Sequence, residues 1–323
     1  MCTAVTYQTK DHYFGRTLDL EYSYKEEVVV TPRNFPFEFR TMGRLSSHYA
    51  IIGMATVAED YPLYYEAANE HGLAMAGLNF PGNAHYFAEI PGKDNIAPFE
   101  FIPWILGQCK NLSQARKLLD KLNLCSIHFS KALPLSPLHW IIADRSGAIT
   151  VESMADGLKI HENPVGVLTN NPPFDYHMTH LCDYLNLTNQ PAENRLGNVS
   201  LRPYSNGMGG IGLPGDLSSA SRFVRAAFVK LNSVSAETEE GSVSQFFHIL
   251  GAVAQQRGCV QMPDGRYEIT RYTSCINTDR GIYYYTTYEN SCLCAVNMHR
   301  CDLLGNALQR YPLIENQTIH RQN

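Results

Sequence analysis

Cysteine stands at position two of the 323-residue chain, in Met1-Cys2-Thr3. An initiator methionine is readily removed when the next side chain is small, and cysteine is small. The product would carry a thiol and a free α-amine on one residue. An α-amine titrates at about 7.7–8.0, so it can serve as a base near neutral pH. A thiol attacks well only beside a base or with a lowered pKa. One residue would then supply both nucleophile and base, as in pairs of threonine with its own N-terminal amine. The competing reading is an ordinary strand cysteine without reactivity, since a short motif is only a hypothesis.

Composition narrows the field. The chain is 44% apolar and 18% charged, as in ordinary globular proteins. A net charge of −5 gives no electrostatic footprint for nucleic acid. No apolar run approaches the ~18 residues of a transmembrane helix, so no membrane insertion is expected. No charged n-region precedes an apolar h-region, so no signal peptide is expected either. Nine cysteines, an odd number without a C-x-x-C pair, indicate neither a disulfide framework nor a zinc ribbon. They suit a reducing cytosol. Cys292 and Cys294 would share a strand face and could join His299 and Cys301 as metal ligands. Free cysteine is more often a small buried hydrophobe, so no metal is assigned. Asn206–Gly212 is glycine-rich, but it lacks the Gly-Lys-Ser/Thr ending of a phosphate loop. No cofactor is expected.

The elements that must position Cys2 read as strands at both ends with helices between. Cys2–Tyr7 and Tyr13–Asp19 form a hairpin. Val28–Thr31, Tyr49–Val57, Tyr64–Glu70 and Leu73–Phe80 follow, the last two joined by the tight-turn signal His71-Gly72. Leu138–Ala143, Ala148–Ser153 and Leu158–His161 make a meander. Tyr267–Ile276, Gly281–Tyr288 and Ser291–Met298 close the chain. Helices are expected over Phe99–Cys109, Leu112–Leu124, Phe174–Leu187, Ser219–Val234 and Ser242–Arg257, with Ser219 and Ser242 as N-caps. Antiparallel hairpins flanking grouped helices predict an α+β fold in one domain, residues 1–323. His139 and His248, in apolar segments, read as buried structural residues. No local cysteine signature of the papain class accompanies them.

Six dispersed blocks carry a family resemblance. They are Cys2-Thr3; Phe14-Gly15-Arg16 with Asp19; Asn69-Glu70-His71-Gly72-Leu73; Gly77-Leu78-Asn79-Phe80; Thr169-Asn170-Asn171-Pro172; and Gly215-Asp216 followed by Ser221-Arg222-Phe223. In this order they resemble the choloylglycine hydrolase family, N-terminal-nucleophile hydrolases that include bile salt hydrolases and penicillin V acylases. The resemblance runs from Cys2 to Ile282-Tyr283-Tyr284-Tyr285. It implies a four-layer αββα sandwich of two antiparallel sheets, amide hydrolysis by Cys2, and a homotetramer in the bacterial cytoplasm. It implies that Arg16 favours the thiolate and that Asp19 orients the α-amine. Asn79, through its backbone N–H, and Asn170, through its side chain, would form an oxyanion hole, with Arg222 in the same polar cluster. Asn170 is chosen over Asn171 because it directly follows the threonine. Arg222 is chosen over Arg225, which is read as a structural ion-pair partner.

Alone, each of these residues has a plainer explanation: a strand-end salt bridge for Arg16 and Asp19, turn residues for Asn79 and Asn170. Together with Cys2 they supply nucleophile, base, orienting group and oxyanion donors. The implied substrate is a bile acid joined by an amide to glycine or taurine. Its steroid would need an apolar, aromatic-lined cleft. Leu20, Tyr24, Tyr65, Asn79, Phe129 and Leu133 are the candidate substrate contacts. The alternatives are a penicillin V acylase with the same chemistry and a steroid-binding relative without it. Asn79 resembles the bile salt hydrolases, where penicillin V acylases tend to carry tyrosine.

Overall fold

The strands, most of them near-continuous runs of buried residues, build two antiparallel sheets in the computed structural model, which describes residues 1–323. The first sheet has six strands, in the order Val167–Leu168, Cys2–Gln8, His12–Leu20, Ile269–Asn277, Ile282–Thr287 and Cys294–Asn297. The second has eight: Gly157–Glu162, Gly147–Met154, Leu138–Asp144, Ala74–Asn79, Tyr61–Asn69, Ile51–Ala58, Glu27–Thr31 and Gln309–Pro312. The sheets face each other, and helices cover both outer faces. Helices α1 (Phe101–Gln108) and α2 (Leu112–Leu119) lie on the eight-stranded sheet. Helices α3 (Phe174–Leu181), α4 (Ser219–Asn232) and α5 (Glu239–Gly251) form the opposite layer; α4 and α5 pack on the six-stranded sheet, and α3 packs on α4. This is a four-layer αββα sandwich. No helix is long and apolar enough to cross a membrane.

Being covered on both faces explains why His12–Leu20 is buried from end to end except at Leu20. One core cluster joins residues of both sheets to α3, α4 and α5, and it includes Cys2. The other fills the space between the eight-stranded sheet and α1 and α2. The His71-Gly72 turn forms as expected. Gly72 takes φ +88°, and the Asn69 side chain accepts from the His71 and Leu73 backbone N–H groups. The same Asn69 donates to the Leu106 and Cys109 carbonyls at 2.8 and 2.7 Å. It thereby satisfies open carbonyls at the end of α1.

Several boundaries differ from the sequence reading. The helix expected over Leu112–Leu124 stops at Leu119, and Leu122–Leu124 pairs in parallel with Asp94–Ile96. All three of those residues are buried, so strand pairing serves them better than another helical turn. The N-caps are Ser218 and Thr238, not Ser219 and Ser242. The Ser219 hydroxyl is engaged with Asn170 and Thr169, and that of Ser242 with Thr9. With Thr238 as cap, α5 starts three residues early and places Glu239 and Glu240 in its first turn, where the helix dipole favours them. His248 proves exposed, because α5 turns it away from the buried Phe246–Ile249–Leu250 face. Cys292 lies ahead of the strand Cys294–Asn297, so the two cysteines do not share a strand face.

Gly53 shows how closely the strands approach. A Cβ there would lie 2.2 Å from the Glu66 carbonyl oxygen. Backbone must move to admit it. Gly53→Ala should therefore lose about 1–3 kcal/mol of stability in urea unfolding, whereas Gly215→Ala, with open space around it, should change little.

Candidate active site

Cys2 opens its strand opposite Leu18, at the buried end of the first hairpin, and is 3% exposed. A strand end offers few further ladder bonds, so side chains take over. The Cys2 N–H donates to Asn170 Oδ1 at 2.8 Å. The Cys2 carbonyl accepts from Arg222 Nη1 at 2.6 Å. The register of Ala4 with Leu168 and Val5 with Val167 carries the following Thr169-Asn170 alongside the start of this strand.

Asn170 is the hub. Its Oδ1 also accepts from Arg222 Nη2 at 2.8 Å, and its Nδ2 donates to the Asn79 carbonyl at 2.7 Å. Its backbone is held as well: the N–H donates to Ser219 Oγ at 2.8 Å, and the carbonyl accepts from His177 Nε2 at 3.0 Å. Next to it, the Thr169 carbonyl bonds His139 Nε2 at 2.9 Å, and Glu152 lies on the other side of that ring at 2.9 Å. Asn171 instead donates to the Pro81 carbonyl.

Two fully buried guanidiniums flank Cys2. Arg222, from α4, also donates to Thr3 Oγ1 at 2.7 Å and to the Leu217 carbonyl at 3.0 Å. Burial pulls its pKa down, against the opposing charges of Asp19, Cys2 and Glu268. Arg16 reaches across to the other sheet and donates to the Gly77 and Tyr65 carbonyls at 2.5 and 3.3 Å. Its Nε lies 3.8 Å from Glu66 Oε2. Burial acts to lower its pKa, yet Cys2, Tyr272, Glu66 and Asp19 together hold it above the usual arginine range. Arg225, expected in an ion pair, donates to the Pro214 carbonyl at 3.2 Å and has no carboxylate within 4.0 Å.

The Asp19 carboxylate is fully buried and accepts from Thr270 Oγ1 at 2.7 Å and Thr17 Oγ1 at 3.2 Å. With Met1 in place, the α-ammonium is that of Met1. It donates to the Asp19 carbonyl at 2.6 Å and to Glu268 Oε1 at 2.9 Å. The structure thus gathers Arg16, Asp19, Asn79, Asn170 and Arg222 around the first strand.

The substrate-contact candidates divide. Leu20 and Tyr65 pack against the core that contains Cys2. Tyr24 is exposed, and the Thr56 hydroxyl joins its carbonyl (3.1 Å) to the Tyr65 hydroxyl (2.8 Å). Phe129 meets Phe99 and Tyr61, with ring centroids 5.2 and 6.0 Å apart, and Leu133 is half-buried in the same loop. Polar recesses of about 550 Å³ beside Arg33 and Glu70, and of about 330 Å³ beside Lys230, include none of the nominated residues. No three His, Cys, Asp or Glu side chains converge as a metal site.

Sequence reasoning missed the supporting groups. Glu66 is fully buried between the sheets, accepting from Tyr272 (2.7 Å) and Tyr283. Burial raises its pKa, against Arg16 and the two tyrosines. A lone carboxylate inside the strand Tyr64-Tyr65-Glu66-Ala67-Ala68 was the available signal. His177, Glu152 and Glu268 carried none, whereas His139, read from its apolar segment as a buried structural residue, is fully buried.

A match to the family Linear amide C-N hydrolases, choloylglycine hydrolase family, spans residues 2–312. The chain belongs to the choloylglycine hydrolase family of linear amide C–N hydrolases. It is 55% identical to the bile salt hydrolase/transferase of Lactiplantibacillus plantarum over 314 residues, 97% of either chain. Among solved structures it resembles the conjugated bile acid hydrolase from Clostridium perfringens, determined as its C2A mutant. That match has TM-score 0.92 and 37% identity and covers 100% of both chains. The penicillin V acylase from Agrobacterium tumefaciens shares the fold, with TM-score 0.74 and 20% identity over 96% of this chain and 90% of that one.

Burial also sets an acid limit. It pushes the His177 and His12 rings down to about 4, so both are neutral in the folded protein and protonate when it unfolds. Between about 6.5 and 4 the unfolded chain binds more protons, and stability rises with pH. Unfolding midpoints should fall as pH drops through that window. His177→Phe should flatten the slope by about one proton; an unchanged slope would show that its burial is not what limits acid stability.

Proposed function

We propose that this chain is a bile salt hydrolase. It would cleave the amide between a bile acid and glycine or taurine with the Cys2 thiol, after loss of Met1. The observation that carries the reading is Asn170, bonded at once to Cys2, Arg222 and the Asn79 carbonyl. The 55% identity to a relative described as a bile salt hydrolase/transferase supports the substrate.

In this reading the Cys2 sulfur attacks the scissile carbonyl, and the free α-amine of the same residue accepts the thiol proton. Arg16 favours the thiolate by its buried positive charge. Asp19 orients the amine. The Asn170 amide and the Asn79 backbone N–H receive the charge that develops on the carbonyl oxygen. Arg222 holds Cys2 and Asn170 together. The amine then returns its proton to the departing glycine or taurine nitrogen, and water releases the bile acid from the thioester. Leu20, Tyr24, Tyr65, Phe129 and Leu133 would contact the steroid, with Asn79 at the amide end. No metal or cofactor enters these steps. We place the enzyme in the bacterial cytoplasm as a homotetramer. The exposed Leu196, Val199, Leu201, Tyr204 and Ile211 of one long loop are apolar surface for subunit contact. Light scattering should return about four times the 36.3 kDa chain mass.

Removing an oxyanion donor typically costs about 10²–10³ in rate. Asn170→Ala should lose kcat by that order while staying folded, and Asn171→Ala should be milder; the reverse order would transfer the role to Asn171. The α-amine is tested by blocking it. Protein with an uncleavable residue before Cys2 should not hydrolyse glycocholate or taurocholate, although its thiol is intact. Cutting the extension off should restore turnover without refolding, and Cys2→Ala should stay inactive. Full activity of the extended form would exclude the amine as base. Faster cleavage of penicillin V than of either bile salt would overturn the substrate assignment and leave the chemistry standing.

A further inference from the structure

Glu268 has an unusual ion pair. The carboxylate is buried, with the residue 4% exposed, and its partner is the Met1 ammonium at 2.9 Å. No lysine or arginine side chain lies within 4.0 Å of it. It sits immediately before the strand Ile269–Asn277, whose first residue pairs with Leu20, next to Asp19. When Met1 departs, this buried carboxylate loses its counter-charge, and an ionised group in that position is costly without one.

The replacement is close at hand. Successive backbone nitrogens are at most about 3.7 Å apart, so the Cys2 nitrogen stands within about 6.6 Å of Glu268 Oε1. The other charged groups facing this point are Asp19 from the neighbouring strand and Arg222 from α4, with Arg16 beyond the thiol. Both arginines are already committed, Arg222 to Cys2, Thr3, Leu217 and Asn170, and Arg16 to Gly77, Tyr65 and Thr17. The Asp19 carboxylate is engaged by two hydroxyls.

We propose that Glu268 is a positioning residue for the Cys2 α-amine: its carboxylate passes from the Met1 ammonium to the amine that Met1 leaves behind and, with Asp19, holds that amine against the thiol. This rests on the α-amine being the base. Burial favours the neutral acid at Glu268, and a nearby ammonium opposes that. The pair therefore stabilises the protonated amine and makes it a stronger base than an isolated one.

The test is the pH dependence of kcat/KM for glycocholate hydrolysis in Glu268→Gln. Both it and wild type should be produced from a fusion cut immediately before Cys2, so that methionine removal does not enter. Loss of the negative charge makes the ammonium a stronger acid. The acid limb should move to lower pH by about half a unit to one unit. Glu268→Asp should move it in the same direction by less, and it carries the test if the glutamine variant does not fold. A purely structural role would lower the unfolding midpoint or the maximal rate and leave the limb in place, which would overturn the proposal. The uncut fusion separates the two failures. If it is active, the amine is not the base; if it is inactive and the limb is unmoved in folded Glu268→Gln, only the role of Glu268 falls.

Discussion

A residue that begins a strand is held by its sheet on one side only, and Cys2 is such a residue. Its neighbour in the ladder, Leu18, fixes its height but not the groups around its nitrogen. Asn170 and Arg222 complete that hold, one on the N–H and the other on the carbonyl. Both are buried, and each bonds the other, so the strand end is pinned by a closed set of hydrogen bonds. Charge-assisted bonds of this kind are roughly twice as strong as neutral ones. The six-stranded sheet, the turn after Leu168 and helix α4 must all be in place before the set can close.

The set carries charge into a place where charge is expensive. Arg16 and Arg222 are answered by Glu66, Asp19 and Glu268, all nearly or fully buried. Removing one member of such a group leaves another uncompensated, which is the costly outcome in buried ion pairs. Arg16 and Glu66 also join the two sheets. The guanidinium starts on the six-stranded sheet and bonds carbonyls of the other, while the carboxylate does the reverse through Tyr272 and Tyr283. Sheet packing and the polar surroundings of the thiol are therefore one construction.

A second ring of groups stiffens Asn170 from behind. His139 and His177 bond successive carbonyls at Thr169 and Asn170, and each ring is stacked, on Phe80 at 4.2 Å and on Phe223 at 4.8 Å. Glu152 turns His139 and also accepts the first N–H of α3. Packing and hydrogen bonding here act on the same rings. Rigid support of this sort keeps an amide donor aimed at one point.

Much of this was legible in the residues themselves. Cys2 at position two is a local fact, whereas Arg16, Asp19, Asn170 and the choice of Arg222 over Arg225 came from the family resemblance, which works because short motifs keep their order. Apolar runs of strand length bounded by turn residues found most of the strands, and turn chemistry at His71-Gly72 found a hairpin. Helix ends were less legible, because Ser219 and Ser242 give their hydroxyls to distant partners and leave capping to Ser218 and Thr238. The sequence by itself determined which residues could do chemistry and the αββα architecture that a familiar pattern implies. Only the tertiary structure decided what surrounds them: that Glu66 crosses to Arg16, that His177 backs Asn170, and that Glu268, 266 residues after Cys2, stands beside the chain's first nitrogen. The reason is physical, since a buried polar group is satisfied by its partner, and that partner is brought beside it only when strands and helices pack.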